Sequence, residues 1–330
     1  AMIKLPEMKG SHRIELHDGA VSTTAEVWAT LSAARSGNLD ELQALISRQP
    51  ALLTCQYDYT SPLHLAVREG HLEVVRYLVQ GGALDPSYRV HPFLESITTF
   101  AEDRSFEGTT LLKKTITTGQ LTREWGDTGR IHHERDDAQY RFEKAIDQRE
   151  RAEVEAMLRE RPDLAKDELA FWGEGVLAMP AKDGDHRVIE LLLSYGASVP
   201  NTSKWGARYY FKHYDTAAFL LKNGMDPNHM NWRRFTLLHE MAFLGDTQKA
   251  TLLLDCGAAI DAIDDEYQST PVGYACHWGQ SEMVRLLISR GADVMIAGKA
   301  WATPLAWALK KGFSDIARVL RTSGAANNSH

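Results

Sequence analysis

Apolar and polar positions recur with a fixed period along the last third of the chain. Three segments open with a threonine, pass through an apolar helix-length run and reach a glycine nine residues later; the threonines are Thr236, Thr270 and Thr303, 34 and 33 residues apart. A second apolar run follows each glycine and ends in Gly-Ala. A period in the low thirties is typical of stacked helical repeats. Because a pair of short helices cannot bury its own apolar face, the pattern predicts helical pairs packed in a row.

The opening residues of each repeat indicate where its first helix begins. A Thr or Ser hydroxyl can accept from the free N–H groups of a first helical turn, and Pro at the first position loses no hydrogen bond, as in Thr270-Pro271 and Ser61-Pro62. The glycine nine residues later turns the chain into the second helix. The closing Gly-Ala pair, such as Gly291-Ala292, ends that helix in a left-handed conformation.

These segments resemble the ankyrin repeat, whose pattern begins T-P-L-H-x-A. The likeness is specific in the last three copies and at Ser61-Pro62-Leu63-His64-Leu65-Ala66, and weaker elsewhere. It implies an all-α ankyrin-repeat solenoid of about nine helix-turn-helix repeats, in which His64 and His239 hydrogen-bond the adjoining turn. We predict five segments: an N-terminal arm (1–21), N-terminal repeats (22–120), a charged insertion (121–138), C-terminal repeats (139–325) and a tail (326–330).

Composition limits the class of partner. The net charge of −7 disfavours nucleic acid as the main ligand. Cys55, Cys256 and Cys276 are odd in number and lack C-x-x-C spacing, which predicts reduced thiols and a cytoplasmic protein. No apolar run approaches the length of a membrane span, so no membrane association is expected.

Aromatic residues cluster where the resemblance implies a binding groove. In ankyrin-like stacks the turn tips and the exposed face of each first helix line a concave surface that mostly binds proteins or peptides. The side chains predicted to bind a ligand there are Trp232, Arg233, Tyr267, Tyr274, Trp278, Trp301 and Trp307. Exposed Trp and Tyr are typical binding hot spots, whereas the alternative is that several of them cover the seams between repeats.

A second interpretation is an enzyme or small-molecule receptor on the same scaffold. Clustered aromatics with Arg, His and acids suit a compact aromatic or sugar-like ligand. His229, His277, Asp264 and Asp265 are then the candidates for proton transfer. No nucleophile elbow, phosphate loop or dinucleotide motif is present, so no cofactor is predicted.

Neither histidine-rich segment of the sequence predicts a metal site. His132-His133-Glu134 has no recognised ligand spacing. The segment that begins His239-Glu240 departs from H-E-x-x-H because its fifth residue is Phe243. His239 is also the histidine of the T-P-L-H pattern, which favours a structural role.

Overall fold

The computed structural model describes residues 1–122 and 129–324, and the chain divides into two compact units. The N-terminal unit is Glu7–Glu134, and the C-terminal unit is Ala1–Pro6 together with Arg135–His330. The boundary between them falls inside the predicted insertion, 121–138. Residues 123–128 of that insertion lie outside the described residues, as does the predicted tail, 326–330.

The N-terminal unit contains three helical pairs and five short strands. Its helices are α1 (Thr24–Ser36), α2 (Leu39–Arg48), α3 (Pro62–Glu69), α4 (Leu72–Gln80), α5 (Ile97–Asp103) and α6 (Thr109–Thr118). Its strands are β1 (Arg13–Glu15), β2 (Val21–Thr23), β3 (Arg89–Val90), β4 (Glu95–Ser96) and β5 (Arg130–His132). Short 3-10 helices cover Pro6–Met8, His17–Gly19 and Pro50–Thr54.

A three-stranded antiparallel sheet joins the N-terminal arm to the end of the insertion. β1 is central and pairs with β2 and β5, with Ile14 opposite Ser22 on one side and Ile131 on the other. Ile14 is fully buried, and His132 Nε2 lies 3.0 Å from the Glu15 carboxylate. β1 of the arm and β5 of the insertion, which carry no repeat signal, are therefore held in place by pairing with each other.

The C-terminal unit contains six helical pairs and one additional single-turn helix, Ala170–Gly173. Its helices are α7 (Asp137–Asp147), α8 (Arg151–Glu160), α9 (Ala170–Gly173), α10 (Ala178–Asp183), α11 (His186–Ser194), α12 (Gly206–Tyr209), α13 (Tyr214–Lys222), α14 (Leu237–Leu244), α15 (Thr247–Asp255), α16 (Pro271–His277), α17 (Ser281–Ser289), α18 (Pro304–Lys311) and α19 (Ser314–Thr322). The parallel strands β6 (Thr202–Ser203) and β7 (Met230–Asn231) link two turn tips. Short 3-10 helices cover Pro162–Lys166 and Ala300–Ala302. Across the described residues of both units the pairs number nine, as predicted.

The predicted caps begin the first helices of the repeats. Thr236, Thr270 and Thr303 each accept a hydrogen bond from the backbone N–H three residues later, at 3.1–3.3 Å. His239 Nδ1 accepts from Thr236, whose Oγ1 lies at 2.8 Å, and His239 Nε2 donates to the Ser269 carbonyl of the next turn tip at 2.9 Å. The bond to Ser269 confirms the predicted role of this histidine.

Neighbouring repeats pack through their first helices. α14 lies against α16 and α16 against α18, while the second helices α15, α17 and α19 pack in the same order behind them. The small or apolar residues Val272, Ala275 and Cys276 of α16 are fully buried in these contacts. The array places the turn tips and one face of each first helix on the same side of the row.

Candidate functional site

The first helices of the last three repeats carry related positions on one face. When the capping threonine is counted as position 1, positions 5 and 8 lie one helical turn apart and share that face. Position 5 is Glu240, Tyr274 and Trp307 in α14, α16 and α18, and position 8 is Phe243, His277 and Lys310. Aromatic side chains therefore come together across three adjacent helices.

A continuous stack of rings runs across α16 and α18. Tyr274 stacks on Trp278 with ring centroids 5.5 Å apart, and Trp278 stacks on His277 at 3.5 Å. His277 stacks in turn on Trp307 at 3.9 Å, and the Lys310 ammonium lies 4.6 Å from the Trp307 centroid. We call Tyr274, Trp278, His277 and Trp307 the aromatic stack. Its imidazole is held parallel between two indoles.

Tyr267, from the preceding turn tip, packs edge-on against all four rings of the aromatic stack. The ring centroids lie 5.0–5.8 Å apart, within the range of favourable edge-to-face contacts. The indole Nε1 of Trp307 donates a hydrogen bond of 2.9 Å to Ser269 Oγ. Tyr267 and Trp307 are fully buried, so the centre of the cluster is part of the hydrophobic core.

The aromatic stack forms an aromatic cluster together with Tyr267, Phe243 and Trp301. The edges of this cluster remain accessible. Phe243 lies edge-on to Trp278 at 4.9 Å, and Trp301 lies edge-on to Trp307 at 5.9 Å; Phe243, Trp278 and Trp301 are all half-buried. Lys310 is exposed and also lies 5.9 Å from the Trp301 ring. The cluster thus presents aromatic edges and a cation around a buried centre.

Asp264 fixes the turn tip beneath the aromatic stack. Its carboxylate accepts hydrogen bonds from the backbone N–H groups of Glu266, Tyr267 and Ser269 at 2.9–3.0 Å. The hydroxyl of Tyr274 donates to the same carboxylate. Burial raises the pKa of Asp264 to about 6, against the effect of these hydrogen bonds. Burial and the Asp264 charge also raise the pKa of Tyr274 well above its usual value.

Comparison with known proteins identifies this architecture. The family model described as Ankyrin repeats matches residues 24–92, 205–298 and 238–330, which together make up more than half of the chain. The chain belongs to the ankyrin-repeat family.

Curated ankyrin-repeat proteins match shorter stretches. An ankyrin repeat and KH domain-containing protein of Caenorhabditis briggsae is 33% identical over 157 residues, or 46% of this chain and 6% of that protein. A B-cell lymphoma 3 protein homolog of Mus musculus is 33% identical over 95 residues, or 29% of this chain and 21% of that protein. The chain thus spans only a small part of these relatives. Within residues 1–122 and 129–324, every helix is too short or too polar to cross a lipid bilayer.

Most of the aromatic residues expected on the surface of this ankyrin array are buried instead. Of the seven predicted ligand-binding residues, only Trp278 and Trp301 are half-buried; the buried ones are Trp232, Arg233, Tyr267, Tyr274 and Trp307. The expectation that these five are exposed was wrong. One reason is visible in the stack, where the ring faces of Tyr274 and Trp307 pack on neighbouring rings and their polar atoms bind Asp264 and Ser269.

His229 joins two turn tips of the ankyrin array. Its Nδ1 donates to the Pro200 carbonyl at 2.6 Å, and its Nε2 accepts from Ser203 Oγ at 2.9 Å, where β6 pairs with β7. Burial lowers its pKa to about 4. Gly206 allows this approach, because a Cβ there would lie 2.3 Å from Nε2. With both ring nitrogens bonded, His229 is a neutral structural histidine.

The four residues predicted for proton transfer do not assemble into one acid–base group. His277 belongs to the aromatic stack, and the oxygens of Asp264 hold a turn tip. The carboxylate of Asp265 forms an ion pair of 2.9 Å with Arg234 of the preceding tip. His229 packs against Tyr210, at 5.9 Å, in an earlier repeat.

Two residues that were not predicted from the sequence, Ser269 and Phe235, also shape the site. Ser269 accepts the Trp307 N–H and donates to the Tyr267 carbonyl at 2.7 Å. The ring centroid of Phe235 lies 5.2 Å from that of Tyr274 and 5.7 Å from that of His239, so Phe235 extends the cluster towards α14. Both residues directly precede a capping threonine, so the repeat register was the signal that could have indicated them.

Proposed function

We propose that the chain is a binding protein that holds a peptide segment of a protein partner on the accessible edge of the aromatic cluster. Ankyrin repeats are typically protein–protein interaction modules. The observation that carries the proposal is the placement of Phe243, Trp278 and Trp301, which are half-buried and surround a fully packed centre. Large aromatic side chains at such positions contribute much of the binding energy at protein interfaces.

The packed centre favours binding because it fixes these side chains before the partner arrives. The indole of Trp278 is held between Tyr274 and His277, and the indole of Trp301 lies against Trp307. Ordering a rotamer-rich side chain on binding costs roughly 0.5–1.5 kcal/mol. A surface whose anchors are already ordered avoids much of that cost.

Local charge indicates the chemistry of the partner at this end of the array. Lys299 and Lys310 are exposed, Lys311 is half-buried, and the ammonium groups of Lys310 and Lys311 lie 4.6 and 5.9 Å from the Trp307 centroid. A peptide segment with acidic side chains beside an apolar anchor complements both features. The three reduced thiols fit a cytoplasmic setting for such a partner, which cell fractionation tests.

The experiment compares a variant of the accessible edge of the aromatic cluster with a matched variant of the second helix α17. A partner is first captured from lysate and purified, and its affinity for the wild-type chain is measured by calorimetry. Trp301→Ala combined with Lys310→Ala is expected to weaken binding at least about 30-fold, as loss of a hot spot of about 2 kcal/mol implies. The control, Glu282→Ala with Arg285→Ala, changes two exposed residues on the outer helix α17 and is expected to leave affinity unchanged.

Two outcomes would overturn the proposal. Equal affinity of the Trp301→Ala/Lys310→Ala variant and the wild type places the partner elsewhere, and equal losses in both variants show that Trp301 and Lys310 matter no more than exposed residues of α17. A thermal-shift screen against metabolites and carbohydrates tests the small-molecule alternative in parallel, since a ligand of the native state raises the melting temperature.

A further inference from the structure

Glu240 occupies a repeat position at which the next two repeats have aromatic side chains. It is position 5 of α14, equivalent to the fully buried Tyr274 of α16 and Trp307 of α18. Glu240 itself is half-buried, and among the described residues its side chain forms no hydrogen bond or ion pair. A half-buried carboxylate without a partner gains no stabilising contact from the fold, so folding alone gives no reason for an acid here.

The surroundings of Glu240 on its own helix are apolar. Phe243 and Leu244 follow it at the spacings that bring helical side chains together. Leu244 is 56% exposed, and Phe243 is half-buried against Trp278. Glu240 therefore lies beside an accessible apolar patch that is continuous with the edge of the aromatic cluster.

The titratable groups of the adjoining elements have other partners. His239 bonds to the cap of α14 and to the next turn tip, and burial lowers its pKa to about 4. The Tyr274 hydroxyl donates to Asp264. At the start of α15, Asp246 and Lys249 form an ion pair of 3.5 Å. Desolvation alone raises the pKa of Glu240 to about 7, since no cation offsets it.

We propose that Glu240 binds a basic side chain of the partner, whose aliphatic stem lies on Leu244 and Phe243. This inference rests on the proposed function and names the partner's chemistry at the second end of the surface. Arg and Lys suit such a site because they carry a charged head on an apolar stem. A cation supplied by the partner neutralises the carboxylate that the fold leaves unpaired.

The register of the array sets the spacing of the two charges in the partner. α14 and α18 are separated by two helix-to-helix spacings, roughly 16–20 Å. An extended peptide advances about 3.3 Å per residue. The basic residue over Glu240 and the acidic residues near Lys310 are thus about five or six residues apart.

The test uses a small probe, n-butylguanidinium, so that it does not depend on the partner. Glutamate carboxyl carbons are followed by NMR against pH, and the Glu240 signal is assigned by its loss in Glu240→Gln. A cation beside a carboxylate lowers its pKa by roughly 1 or more. We expect saturating n-butylguanidinium to produce such a shift in Glu240 and to perturb the Leu244 methyl signals.

Controls separate charge from apolar contact. n-Butanol is expected to leave the pKa of Glu240 unchanged, and Glu240→Gln is expected to bind n-butylguanidinium about ten-fold more weakly at pH 8.5, as a pKa shift of about 1 implies. Leu244→Ser tests the stem contact and is also expected to weaken binding. An unmoved Glu240 pKa, an equal shift with n-butanol, or full affinity in Glu240→Gln would each overturn the inference. If any of these results is obtained while Trp301 and Lys310 remain necessary for binding the partner, the proposed function stands and only the role of Glu240 is refuted.

Discussion

Trp307 is the side chain whose loss should most destabilise the last repeats. It is fully buried, it stacks on His277 at 3.9 Å, and its Nε1 donates to Ser269 Oγ at 2.9 Å. Replacing it with alanine removes this packing and leaves a cavity between Tyr267 and His277. Core Trp-to-Ala substitutions cost about 3–5 kcal/mol of unfolding free energy, and we expect Trp307→Ala to fall in that range.

Two further variants resolve this cost into its causes. Trp307→Phe keeps an aromatic ring but removes the N–H donor, so we expect a loss of roughly 1–2 kcal/mol. Trp172→Ala is the matched control, because Trp172 is 64% exposed in the short helix α9 of the same unit. Its replacement should change the unfolding free energy by less than about 0.5 kcal/mol.

The assay is urea unfolding followed by far-UV circular dichroism, which reports helix content whichever tryptophan is removed. The free energies are compared by linear extrapolation. The expected order of destabilisation is Trp307→Ala, then Trp307→Phe, then Trp172→Ala. If Trp307→Ala proves no more destabilising than Trp172→Ala, the aromatic stack does not stabilise the core as proposed.

Other predictions concern charge and backbone. Because burial holds the pKa of His229 near 4 against 6.5 in the unfolded chain, its contribution to stability is lost as pH falls through that window. The unfolding free energy of the wild type, measured with urea, should exceed that of His229→Gln by about 3 kcal/mol less at pH 4 than at pH 7.5. A difference that stays constant would contradict the assignment of His229 as a buried neutral histidine. The pKa of Asp264 shifts in the opposite direction, from 3.8 in the unfolded chain to about 6 in the folded one, so its contribution to stability is lost as pH rises. The excess of the wild-type unfolding free energy over that of Asp264→Asn should therefore shrink by about 2 kcal/mol between pH 4 and 7, and an increase would contradict the assignment. Gly245 has φ +74°, and a Cβ there would lie 2.4 Å from Gln280 Oε1, whereas Gly312 at φ +78° has open space. Both Gly-to-Ala changes should cost about 1–2 kcal/mol for the left-handed backbone, and thermal unfolding should show the larger loss at Gly245.

The features of the fold that depend on local chemistry could be predicted from the sequence. A capping threonine begins each first helix, so the starts of α14, α16 and α18 follow from Thr236, Thr270 and Thr303, and the glycine nine residues later ends α14 and α18. The pairing of Ile14 with Ile131 could not be predicted, because it joins segments far apart in sequence that share no periodic pattern.

The candidate site, like the fold, could be predicted from the sequence only in part. A constant repeat length places Tyr274 and Trp307 on adjacent helices at one height, so their proximity followed from the register. Their burial did not, because exposure depends on which ring faces meet, and that is decided by neighbours such as His277. The role of Asp264 was hidden for a similar reason, since its backbone partners belong to a turn whose shape no motif specifies.

The partner is proposed to cover the turn tips and first helices of the last three repeats. Hydrogen–deuterium exchange of the chain with and without its purified partner measures this directly. We expect slower amide exchange in residues 264–278 and 299–312, around the turn tips and first helices, and little change in α17 and α19. Protection confined to α17 and α19 would contradict the proposed binding surface.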